Sequence, residues 1–245
     1  MNWIGENSIN QSIVASWACD VTDSIRGGHN RFVERFHLDD PGVAAYNSHV
    51  VECAWGCAMA FSADAVANYF LDRAAAARLP LSPMKLQKLM YFAHGFHLAL
   101  ERRGQPLVNE EVQAWEYGPV FPAIYHEFKE FGGRAISRDA CSVKSVGGGD
   151  LLIYNPTVAT EAEADPQIDL PFAQAVLSRV WSVYSPHSAT ALSELTHERG
   201  SPWWMIRQKA MAEFGGKIPR ALNIPNPLIR NWFKQRFPNT AASPT

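Results

Sequence analysis

The stretch from Pro83 to Leu100 decides most about what this chain can become. Ser82 is placed to cap a helix, Pro83 suits its first position, and Leu81 can staple to Leu86. Leu86, Leu89, Met90, Ala93, Phe96, His97 and Leu100 then recur at helical spacing, and Gly104 supplies the stop. The helix is apolar over more than one face, so it is expected at the centre of its domain. Its best candidate for a membrane span, Leu89 to Leu100, is 12 residues long and carries His94 and His97, which is too short and too polar.

The same start signal recurs along the chain. Ser62, with Phe61 before it and Val66 four positions into the helix, predicts a helix over about 63–78. Further helices are expected over about 120–131, across Phe172 to Val183, over 189–197 behind Ser188, over 202–214 behind Ser201-Pro202, and over 227–237 behind Asn226-Pro227. One or two short strands are expected within 107–117 and another over Leu151 to Tyr154. Gly118-Pro119 reads as a break, 142–149 as a loop and 157–169 as an acidic loop. The fold class is mainly α: a compact single helical domain over about 59–238 with a minor short-strand β element, α+β at most. Residues 239–245 read as a disordered tail.

Residues 1–58 differ in composition. They hold three of the four cysteines, no lysine and a net charge of −4, against +2 for the remainder. The segment lacks helical periodicity, and Met59 stands just before the first well-formed helix signal. It is expected to be a poorly structured extension, and the composition break points to a mis-assigned translation start. The chain as a whole carries −2, so no global basic field points to nucleic acid. Cys19, Cys53, Cys57 and Cys141 make no disulfide framework, and no secretory signal opens the chain, so a reduced cytoplasm is expected.

No coherent catalytic set emerges. His94 and His97 lie at i, i+3, but a metal needs further ligands, and the Glu of a His-Glu-x-x-His helix is missing. Gly147-Gly148-Gly149 leads into a strand, so it is no phosphate loop. Two corners stand out instead. Trp115 and Tyr117 precede Gly118-Pro119, and Trp203 and Trp204 follow Ser201-Pro202. Rigid aromatics lose little entropy on binding, so these four are the candidate partner-binding residues, with core packing as the alternative. Residues 150–198 carry −6 and 199–236 carry +7, a split that suits a charge-steered protein contact.

Three blocks carry a resemblance. Residues 82–95, Ser-Pro-Met-Lys-Leu-Gln-Lys-Leu-Met-Tyr-Phe-Ala-His-Gly, resemble the opening of the Panacea domain. Residues 113–122, Gln-Ala-Trp-Glu-Tyr-Gly-Pro-Val-Phe-Pro, resemble its central signature. Leu192-Ser193, Leu195-Thr196-His197 and Ser201-Pro202-Trp203 resemble its C-terminal one. The blocks occur in the family's order, and residues 1–58 have no counterpart. The resemblance, which includes SocA-like and phage-associated members, implies an antitoxin that binds a cognate toxin encoded beside it. A SocA-like variant of that role delivers the toxin to a protease. It implies no enzyme, no catalytic residues, no cofactor and no metal. The alternative from a different class is a metal-dependent hydrolase using His94, His97 and His197.

Overall fold

A computed structural model of the chain describes residues 34–36, 60–101, 104–147, 150–215, 219 and 222–236. Helices α1 (Ala63–Ala77) and α2 (Pro83–Leu100) start where the sequence places them. Ser62 accepts from the amide of Ala65, and Ser82 from that of Lys85, each satisfying a donor the helix leaves open. The later helices are α5 (Leu170–Tyr184), α6 (Ala189–His197), α7 (Pro202–Glu213) and α8 (Asn226–Arg236). Ser188 caps α6 and Ser201 caps α7 in the same way.

Helix α2 is the hub. From Leu86 to Leu98 every residue is buried. Packed against it are α1, α5, α6, α8, strand β3 (Gly118–Val120) and the short helix α3 (Pro122–Phe128). The Phe92 ring stacks on that of Tyr184 at 4.4 Å, fastening α5. Phe233 of α8 lies 5.0 Å from the Phe96 ring and 5.9 Å from that of Tyr91. Gly95 makes room for it: a Cβ there would fall 2.2 Å from the Phe233 ring. Buried Asn68 on α1 is fully engaged, bonded to the main chain of Ala140 and Pro156. The mainly helical class holds, with two small antiparallel sheets.

The sheets are where expectation and structure differ. Gly118-Pro119 does not break the chain. It forms β3, paired to β2 (Val112–Trp115) in a hairpin whose two-residue turn is Glu116-Tyr117. A third strand, β6 (Asn223–Ile224), pairs with the other side of β2. Proline is tolerated in β3 because β3 is an edge strand. The expected loop at 142–149 contains strand β4 (Ser142–Gly147), which pairs with β5 (Asp150–Tyr154). Val143 and Val146 stand three apart, so the period-two signal of a strand is missing and the glycines after them read as a loop. The expected acidic loop contains helix α4 (Val158–Ala164), closed by a capping box between Thr157 and Thr160. The helix expected over 120–131 is shorter, because it tightens at Lys129 into a 3-10 turn.

Of residues 1–58, the described ones are Glu34–Phe36, which form strand β1 and pair with β5. The rest of that segment, with Met59, Cys19, Cys53 and Cys57, and the tail 239–245, lie outside the described residues. Among the described residues no helix is long and apolar enough to cross a membrane.

Substituting Gly95→Ala is expected to overpack the α2–α8 contact and cost about 1–3 kcal/mol. Thermal denaturation checks this, and adding Phe233→Leu to Gly95→Ala should restore part of the loss.

Candidate functional site

The three motif blocks, far apart in sequence, converge on the β2–β3 hairpin. Gln87 and Lys88, in the second turn of α2, reach it from inside the core. The Gln87 side chain donates to the Phe121 carbonyl at 3.1 Å and accepts from the Phe121 amide at 2.8 Å. It thereby pairs with the chain as a neighbouring strand would. Lys88 is 1% exposed, and its Nζ donates to the Pro119 carbonyl at 3.2 Å. Burial pulls its pKa down from 10.5 to about 7.

Gly118 is fixed by two constraints at once. Its φ is +109°, which side chains rarely allow, and a Cβ there would lie 2.3 Å from Lys88 Nζ and 2.8 Å from Thr196 Oγ1. Helix α6 and its C-terminus supply the opposite wall. Ser193 Oγ donates to the Tyr117 carbonyl at 2.9 Å, tying the turn to α6. Thr196 Oγ1 donates to the Ser193 carbonyl at 2.7 Å, and Ser201 Oγ to that of Thr196 at 2.7 Å. The His197 ring stacks on Trp203 at 3.8 Å and 15°. Burial, then the nearby Lys88 charge, lowers its pKa, while a bond to the Tyr117 main chain opposes the shift.

The four candidate aromatics divide. Trp203 is 9% exposed, and its Nε1 donates to the Trp115 carbonyl at 2.7 Å. It joins the two corners, which the sequence leaves unconnected. Trp115 is half-buried, bonded through Nε1 to Gln113 Oε1 and 4.6 Å from the Tyr125 ring. Trp204 is half-buried. Tyr117 is 64% exposed at the tip of the turn. Lys88, Gln87 and Ser193 escaped assignment, although a lysine inside an apolar helix was a visible signal.

His94 and His97 are otherwise occupied. His94 accepts from the Val108 amide at Nδ1 (3.3 Å) and pairs through Nε2 with Asn226 Oδ1 (2.9 Å). Full burial brings its pKa to about 4, against the opposing Asn226 bond. His97 Nδ1 pairs with the Gln105 carbonyl at 3.1 Å. No group of three His, Cys, Asp or Glu able to hold a metal forms among the described residues, so His94, His97 and His197 are not brought together as a metal site. A cleft of about 430 Å³ opens beside His97, Glu101, Gln105, Asp169 and Phe172. The chain itself uses those polar groups: Glu101 accepts from the Gln105 amide, and Asp169 caps α5.

Residues 86–204, from α2 into the first turn of α7, match the family model of the SocA-like antitoxin, Panacea domain. Antitoxin SocA of Caulobacter vibrioides (strain NA1000 / CB15N) is 33% identical over 172 residues, spanning 70% of this chain and 82% of that protein. The chain belongs to the SocA-like Panacea antitoxin family. No solved structure matches it. The Panacea motifs thus mark one hairpin-and-helix junction, with scaffold residues beneath and one aromatic on top.

The Lys88 pKa lies below its unfolded value, so the unfolded chain binds more protons between about pH 7 and 10.5. The burial penalty is fully present below about pH 7, and stability should climb as pH rises through that window. Lys88→Met should remove this climb. Urea denaturation at neutral and alkaline pH checks it: parallel curves for the two proteins would contradict a charge-burial cost at Lys88.

Proposed function

We propose that this protein is an antitoxin that neutralises a cognate toxin by direct protein–protein binding, with the surface around the Tyr117 turn making the contact. Membership of the Panacea antitoxin family supports the role. The observation that carries the surface is the exposed Tyr117 ring on a turn fastened from below by Ser193 and, through Pro119, by Lys88. A fixed turn presents its aromatic without an ordering cost at binding, which is what an interface anchor needs. Trp115 and Trp204 flank it as half-buried contacts, and Trp203 holds the corners together. Gln87, Lys88 and His97 bond the chain's own backbone, and His94 bonds the Val108 amide and the Asn226 side chain, so a non-catalytic protein is the simpler reading. The toxin is taken to be the product of the adjacent gene, and the complex to form in the cytoplasm.

Alanine substitution separates anchor from scaffold. Tyr117→Ala should keep its melting temperature and lose toxin rescue, with affinity down by about 2 kcal/mol or some thirtyfold. Trp203→Ala should instead destabilise the fold by about 3–5 kcal/mol. The measurement pairs thermal denaturation with rescue of cells expressing the neighbouring gene. Unimpaired rescue by Tyr117→Ala would move the contact elsewhere. Toxin lifetime decides the mode: unchanged under sequestration, shortened under delivery to a protease.

A further inference from the structure

At the start of α7, which Trp203 ties to strand β2, lies an arrangement that toxin binding through one aromatic does not use. The two tryptophans opening α7 each carry an arginine. The Arg207 guanidinium lies 5.0 Å from the centre of the Trp203 ring, and that of Arg199 lies 5.9 Å from Trp204. Arg199 is exposed and Arg207 half-buried. Among the described residues neither forms an ion pair. The other cations nearby are spoken for: Arg236, over Trp232, is paired with Glu198 at 2.7 Å, and Lys209 stands 3.8 Å from Glu213. A guanidinium resting on a ring is oriented by the stack, while its N–H edge remains available for a bidentate acceptor. Trp203, itself buried, ties the start of α7 to the turn, because its Nε1 bonds the strand that leads into Glu116-Tyr117.

We propose that Arg199 and Arg207, with Trp204 and the Tyr117 turn, form a docking surface for an acidic segment of the partner protein. Each guanidinium fork receives an Asp or Glu carboxylate, and Tyr117 and Trp204 cover the apolar stems between them. Charge complementarity identifies the partner chemistry: residues 199–236 carry +7, in a chain whose total is −2. A protein is favoured over nucleic acid by Glu116, which is exposed in the turn itself. A phosphate backbone, with a charge about every 1.7 Å, would run against it. A protein segment can place its few carboxylates on the arginines alone. The inference rests on the reading that this corner contacts a toxin.

The test has two arms. In the first, the full chain is titrated into a fluorescently labelled oligoglutamate peptide and, in parallel, into a short labelled DNA duplex. The wild-type protein is expected to bind the peptide at low salt, and Arg199→Gln/Arg207→Gln to bind it about tenfold more weakly, roughly one charge-assisted contact's worth. If that double variant melts early, Arg199→Gln alone is used, with a loss of about threefold expected. Equal binding by variant and wild type overturns the proposal. So does a duplex that binds more tightly than the peptide and is lost in the same variant, because the face would then read phosphate. In the second arm, the neighbouring-gene toxin is co-purified across a salt series. The variant is expected to retain less toxin and to show a shallower salt dependence. A toxin held equally by both proteins overturns the docking surface and leaves the antitoxin reading standing. A toxin that wild type does not bind overturns the antitoxin reading, and the peptide result then decides the surface by itself.

Discussion

Burial of α2 on all sides is the constraint from which the rest follows. A helix with no solvent-facing side must match every polar group it carries. Here most of the matching is done by main chain from a single stretch, and the Asn226 side chain takes His94 Nε2. Gln87 takes both groups of Phe121, Lys88 the carbonyl of Pro119, His94 the amide of Val108 and His97 the carbonyl of Gln105. The segment from 105 to 121 is irregular outside the β2–β3 hairpin, and these side chains supply partners that its backbone lacks. The core helix and the hairpin therefore depend on one another. The helix needs the hairpin to satisfy its polar side chains, and the hairpin needs the helix to hold its path.

That dependence explains why the hairpin can present an exposed ring with little freedom. A two-residue turn on a two-stranded ribbon is marginal alone. This one is clamped from three directions: Lys88 beneath, Ser193 beside, and Trp203 behind the strand leading in. Removing the Lys88 charge from water is costly. A carbonyl at 3.2 Å offsets only part of that cost, which is why the amine sits so close to neutrality near pH 7. The site holds a strained ionisable group where an apolar residue would pack more cheaply.

Four helices were legible because each opens with a serine cap before an apolar periodic run, and both signals are local; α4, capped by Thr157, has no such run and reads as an acidic loop. Ser62, Ser82, Ser188 and Ser201 all do what their positions imply. Strands β2 and β5 were legible too, from the alternation near Val112 and Ala114 and the run from Leu151 to Tyr154, whereas β3 and β4 read as punctuation: Gly118-Pro119 pairs only since it lies at a sheet edge, and β4 ends in a glycine run. Of the candidate site, the four aromatics were visible but their division was not. Trp203 and Tyr117 look equally prominent in sequence. The bond from Trp203 to Trp115 spans 88 residues, and that from Ser193 to Tyr117 spans 76, distances at which sequence carries no contact signal without comparison among relatives.

Gly95 gives the fold a temporal property. The notch it leaves on α2 is filled by Phe233, and the exposed side of His94 is closed by Asn226, both from α8. Until that last helix docks, the central helix presents an apolar groove and an unmet imidazole to water. The family match ends at residue 204, before α8 begins, so the segment carrying the motifs is not the segment that seals them. A growing chain can make every motif residue and still lack the lid on its own core. The core is complete only with the phenylalanine of α8 in its notch.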